Sequence, residues 1–165
     1  MEVAGDLDLS SLAGMIEQPN GRLAVDGNLS LSALNGIELV EIGVKGDVLA
    51  VNTGAGDILL MVPSGDLIID QLVSNEGVIL RTLDGNLKTD AEKGQPHILS
   101  EQLTLAIYGS AGTVAQPVVT DVALLNLEEV TDPSSSIHLK SQGNLLVNGS
   151  GNQGAVWLEV NGTLQ

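Results

Sequence analysis

The feature that most constrains this chain is a five-residue phrase that recurs from one end to the other: glycine, a polar residue, then apolar-x-apolar. It stands three times in "GDVLAVNTGAGDILLMVPSGDLIID", residues 46 to 70, starting at Gly46, Gly56 and Gly65. It returns, with some degeneracy, at "GDLDL" (Gly5), "GRLAV" (Gly21), "GNLSL" (Gly27), "GNLKT" (Gly85), "GNLLV" (Gly143), "GAVWL" (Gly154) and "GTLQ" (Gly162). Gly27, Gly46, Gly65 and Gly85 are 19, 19 and 20 residues apart, and Gly143 and Gly162 are again 19 apart. The 58 residues from Gly85 to Gly143 hold three such steps, with worn copies "EQLTL" at Glu101 and "TDVAL" at Thr120. A fixed superperiod of this length is the mark of a repeat architecture. A second series, Gly56, Gly77 and Gly154, runs half a repeat out of phase, so each repeat carries at least two short strands.

Within the phrase the alternation has period two. Leu7/Leu9, Leu29/Leu31, Ile58/Leu60, Leu67/Ile69, Leu103/Leu105 and Leu145/Val147 take one phase; Asp6/Asp8, Asn28/Ser30 and Asn86/Lys88 take the other. That puts one face inward and one outward on a β-strand. The nearest helical candidate, "QPVVTDVALLNLEEV", is weakened by Pro117 and its β-branched run.

Strands at this spacing can form a sandwich of hairpins or a solenoid in which each repeat is one coil. Composition favours the solenoid. The chain has 165 residues and is 43% hydrophobic, yet it has no Phe, one Tyr and one Trp. A narrow interior of identical layers needs only Leu, Val, Ile and Ala. The expectation is an all-β parallel β-helix, about eight coils of 19–20 residues, spanning 1–165 as one domain. At ~4.8 Å per coil that makes a rod of roughly 40 Å. Insertions fall at residues 90–97 and 132–136, where turn formers gather. The irregular spacings argue against a designed consensus repeat.

The repeats "GNLSLSALNGIELVEIGVKGDVLAVNTGAGDILLMVPSGDLIID" resemble those of large exported bacterial proteins of the filamentous-haemagglutinin type. The resemblance covers essentially the whole chain. It implies right-handed coils, and a segment of a secreted or cell-surface adhesin whose partner is a protein or glycan on a host or neighbouring cell. The chain opens without the basic and apolar regions of a signal peptide. It stops mid-phrase at "NGTLQ", as a piece of a longer rod would.

Net charge is −15, from 21 acidic and six basic residues, which argues against nucleic acid and anionic membrane surfaces. No apolar run reaches the ~18 residues of a membrane span, and with no cysteine there are no disulfides or thiolate sites.

Candidate chemistry is sparse. Asp6, Asn28, Asp47, Asp66, Asn86, Asp121 and Asn144 share one repeat position, and on a solenoid they form a corner ladder. Its first reading is structural, because Asp and Asn hydrogen-bond turns. Its alternative reading is a carboxylate pair of a carbohydrate-active enzyme, such as Asp47 with Asp66. Stacked carboxylates also raise Ca²⁺ as a ligand, although "NTGAGDILL" departs from the calcium β-roll repeat, since Asp57 directly follows Gly56. No other cofactor is expected. His97 and His138 sit in no ligand-spaced motif and read as surface or loop residues, and the serines at 134–136 form no nucleophile elbow.

One pattern points outward. Leu49, Ile68 and Leu146, with Leu59, Leu80 and Trp157 in the second series, occupy a position that should face solvent. An exposed apolar row there, carried by Leu49, Ile68, Leu146 and Trp157, is a candidate partner surface. Bare terminal coils are open edges, so end-to-end self-association is also expected.

Overall fold

A computed structural model of the chain describes residues 1–18, 20–90, 94–128, 132, 134–149 and 154–165. All its regular elements are strands, every pairing is parallel, and no helix occurs among the described residues. The fold is a parallel β-solenoid.

The chain winds through the following strands: β1 (Glu2–Val3), β2 (Leu7–Ser11) and β3 (Ile16–Glu17); β4 (Leu23–Val25), β5 (Leu29–Ala33) and β6 (Ile37–Leu39); β7 (Ile42–Val44), β8 (Val48–Asn52) and β9 (Ile58–Val62). Then come β10 (Leu67–Ser74) and β11 (Gly77–Thr82); β12 (Leu87–Thr89) and β13 (Ile98–Ile107); β14 (Val118–Leu127); β15 (Ser136–Ser141) and β16 (Leu146–Gly149); and β17 (Ala155–Val160). One interior column can be followed from end to end by its pairings: Leu9, Leu31, Ala50, Leu72, Ile98, Thr120, Ser141, Val160. Eight rungs enclose seven full turns. The steps along this column are 22, 19, 22, 26, 22, 21 and 19 residues, read from those residue numbers. Five of the seven coils are therefore longer than the 19–20 residues of the glycine period, and the count of seven is close to the eight or so expected.

The discrepancy has a local cause. Leu29 pairs with Val48, and Leu67 with Leu87. Val48, however, is paired in the next coil with Ile69 rather than Leu67, and an irregularity follows between Ile69 and Gln71. The four residues are all buried, but they form two columns rather than one. The Gly65–Asp66 corner comes two residues earlier, relative to the stack, than the Gly46–Asp47 corner. Glycines mark corners, and corners can shift against the core as long as the strands keep their inward phase.

Among the described residues, every buried apolar side chain is Leu, Val, Ile or Ala. Along the columns small and branched side chains stack on one another, such as Leu31 on Ala50 and Leu72 on Ile98, and fill the narrow interior without aromatic rings. Leu80, expected outward, is fully buried, because Val78, Leu80 and Thr82 take the inward phase of β11 and Ile79 and Arg81 the outward one. Close packing at the corners excludes side chains: a Cβ on Gly85, at φ +125°, would lie 2.1 Å from the Gly65 carbonyl oxygen of the preceding coil.

Candidate functional site

The corner ladder is a set of hydrogen bonds between coils. Asp6 Oδ1 accepts the Asn28 N–H at 2.7 Å, and Asn28 Oδ1 accepts the Asp47 N–H at 2.9 Å. A second run begins after the register step: Asp66 Oδ1 accepts the Asn86 N–H, Asn86 Oδ1 the Ser110 N–H (both 2.8 Å), and Ser110 Oγ the Ser136 N–H (3.0 Å). A third joins Asn144 Oδ1 to the Thr163 N–H at 2.8 Å. In each run a side-chain oxygen reaches up one coil and satisfies a backbone donor that the turn leaves without a strand partner. The seven residues thus do not form one edge. Asp47 and Asp66 fall in different runs, and Asp121 lies exposed within β14, opposite Leu99, its carboxylate close to Gly143 of the following coil.

Asp66 is engaged from several sides. Burial pushes its carboxyl up, but the Lys88 ammonium and the two Asn86 N–H donors outweigh this and hold it below the usual carboxylate range. Among the described residues no group of three or more His, Cys, Asp and Glu side chains is placed to hold a metal ion.

A second corner is built from inside. Asn52, 1% exposed, accepts the Gly36 N–H at 2.9 Å and donates to the Ala55 and Gly56 carbonyls at 3.0 and 2.5 Å. Ser74, its register neighbour, is also buried and donates to the Gly56 carbonyl. Sequence reasoning missed this pair; the signal was a polar residue at the inward phase. His97, expected at the surface or in a loop, does lie in the bend before β13 but not at the surface. It is buried, and its Nδ1 accepts the Val119 N–H of the next coil at 3.0 Å, doing for one corner what Asn and Asp do for others.

The outward apolar residues do not form a row. Leu49 lies between Ser30 and Gln71, Ile68 beside Lys88, Leu146 beside Leu124, and Trp157 beside His138. Leu49 and Ile68 are half-buried; Leu146 is 44% and Trp157 61% exposed. Register steps and coil insertions scatter one sequence phase over several faces.

Of these residues, Trp157 forms a recognisable surface. Its ring stacks on His138 with centroids 6.0 Å apart and planes 2° from parallel. Val114, 84% exposed, and Pro117 line the same shallow groove of about 260 Å³. An ion pair, Lys140 with Glu159 at 3.2 Å, borders it. Two further grooves lie elsewhere. One, of about 400 Å³, is polar and has Asp57, Glu76 and Glu101 along its walls. The other, of about 380 Å³, opens at the register step, between β7 and residues 64–68; Arg22, Lys45, Asp26 and Asp66 line it, the two carboxylates being paired with Lys45 and Lys88. Nothing in the glycine phrase marked Arg22, because its role depends on the step. No protein-family model matches the chain, and no curated protein or solved structure is detectably similar to it.

Proposed function

We propose that this chain is a non-catalytic rod, a segment of a large secreted or cell-surface bacterial protein of the filamentous-haemagglutinin type, that spaces and presents a binding surface. The observation that carries this reading is the use made of the corner residues. Asp6, Asn28, Asp66, Asn86 and Asn144 each give a side-chain oxygen to a backbone N–H of the next coil. A carboxylate engaged in this way stiffens the rod and is poorly placed to act as a catalytic acid or base.

The presented surface in this reading is the Trp157–His138 patch, flat, aromatic and bordered by charge, suited to a protein or glycan on a host or neighbouring cell. Trp157 is the only tryptophan, so its emission reports on the patch directly. Titration with an immobilised glycan panel and with whole cells should yield a binder that perturbs this emission, and Trp157→Ala should abolish capture while leaving the fold intact. Capture undiminished by Trp157→Ala would remove the patch from the reading.

A carbohydrate-active enzyme remains a second reading, favoured by the groove that Asp57, Glu76 and Glu101 share. Release of reducing sugar from a polysaccharide panel, lost in Asp57→Asn or Glu101→Gln, would replace the rod reading with it.

A further inference from the structure

We infer that the groove at the register step is a docking site for an extended peptide that carries a carboxylate side chain. The three-stranded sheet β1–β4–β7 ends at β7, which pairs with β4 alone. Among the described residues, no backbone hydrogen bond joins residues 42–45 to residues 63–66 of the next coil. The stack therefore has an open strand edge partway along its length, facing a cleft of about 380 Å³ walled by Val44 and Ile68. An open edge offers main-chain donors and acceptors at strand spacing, which a peptide backbone can complement by adding a strand.

Charge selects the peptide. Lys45 is held by Asp26 at 2.8 Å, Lys88 by Asp66, Arg81 by Glu128 and Lys140 by Glu159. Arg22 is the one described Lys or Arg without an acidic partner, in a chain with 21 carboxylates. Its guanidinium lies across Gly43, where a Cβ would come within 2.7 Å of Nη2. Ala24 and Gly43 are register neighbours, so the exterior beside β7 is a shelf of small residues. An outward carboxylate on the added strand would meet the guanidinium where it covers that shelf, a donor fork matched to its two oxygens. This site is separate from the Trp157 patch, and its failure would leave the rod reading untouched.

The test is a titration of isotope-labelled protein with the capped peptide acetyl-Thr-Val-Glu-Val-Thr-amide. The amides of residues 42–45 should shift, with saturation in the millimolar range or below. Replacing the peptide Glu by Gln, or making Arg22→Gln in the protein, should each weaken binding by about three- to five-fold, the size of an exposed ion pair. N-methylation of the peptide's central amides should abolish binding. Glucuronic acid alone should bind far more weakly than the peptide. Absence of shifts, indifference to N-methylation, unchanged affinity on both the Gln peptide and Arg22→Gln, or glucuronate binding as tight as the peptide would each overturn the inference. If Arg22→Gln perturbs the fold, the Gln peptide on the unaltered protein reads the same contact.

Discussion

Truncating Asn52 to Ala should destabilise the rod several-fold more than truncating Asn28, although both are corner asparagines bridging backbone groups. Asn52 is buried and serves three groups: the Gly36 N–H and the Ala55 and Gly56 carbonyls. Its removal leaves a buried N–H without an acceptor, at about 1–3 kcal/mol, and two carbonyls short of a donor at a smaller cost each. Ser74 still donates to Gly56, at 3.4 Å, which offsets part of the loss. The sum is about 3 kcal/mol. Asn28 is exposed, and water can replace its bond to the Asp47 N–H, so its loss should cost about 0.5–1 kcal/mol. Equilibrium urea unfolding separates the two. With m near 2 kcal/mol/M, the midpoint should fall by about 1–2 M for Asn52→Ala and by less than about 0.5 M for Asn28→Ala. Far-UV circular dichroism and Trp157 emission must be followed together, since Trp157 sits in the last coil and a leading emission change would reveal local fraying. Equal midpoint shifts for the two variants would refute the assignment of Asn52 as an internal corner brace.

Gly85→Ala should cost at least about 1 kcal/mol, because its positive φ and the Gly65 carbonyl both reject a Cβ; a thermal melt matching the parent would count against that close approach. His97→Phe keeps a planar ring, somewhat larger and without an acceptor, and orphans the Val119 N–H, so urea unfolding should show a loss of at least about 1–3 kcal/mol, and none would mean the bond is not formed. Asp66 titrates lower in the folded rod than its ordinary value, so the stability it contributes is present above ~pH 3.9 and lost as pH falls through its folded pKa. Melts at descending pH should therefore show Asp66→Asn losing less stability than the parent below about pH 4, and parallel curves would exclude the effect. Tail-to-head stacking that continues the interior column would set Leu9 on Val160 and Asp8 on Glu159. The carboxylates, ~4.8 Å apart, repel by about 1 kcal/mol in water. Sedimentation should accordingly show self-association that strengthens with added salt, and weakening with salt would refute that register.

Strand type, parallel stacking and an aromatic-free interior were legible because each follows from a short-range rule. Period-two alternation at Leu29/Leu31 or Ile58/Leu60 fixes a strand with one buried face, and repetition of the pattern fixes stacking. The turn count was less legible. The sequence shows the distance between corners, 19 from Gly46 to Gly65, whereas the structure stacks Val48 on Ile69, 21 residues on. The ladder was legible as chemistry but not as geometry. Asp6, Asn28 and Asp47 bridge as one run, and the step at β10 then starts a new run at Asp66. Asn52 and His97 were obscured by the same habit of reading polar residues as surface residues; at an inward corner the nearest orphaned backbone group outweighs water as a partner.

The step also explains why the exterior resisted sequence reading more than the core. A shift of two residues preserves the inward phase, so Val48, Ile69, Leu67 and Leu87 all stay buried and the core tolerates it. On the outside nothing enforces alignment. Leu49 and Ile68 hold the same place in the phrase yet emerge beside Gln71 and Lys88 respectively, on separated columns. The same shift ends the β1–β4–β7 sheet and leaves Arg22 facing a cleft. A rod built of uniform coils would have uniform faces and little to distinguish one rung from another. Here the places where corners slide against a conserved interior phase are where grooves, open edges and unpaired charge come together, so recognition in such a fold is to be sought at its irregular rungs.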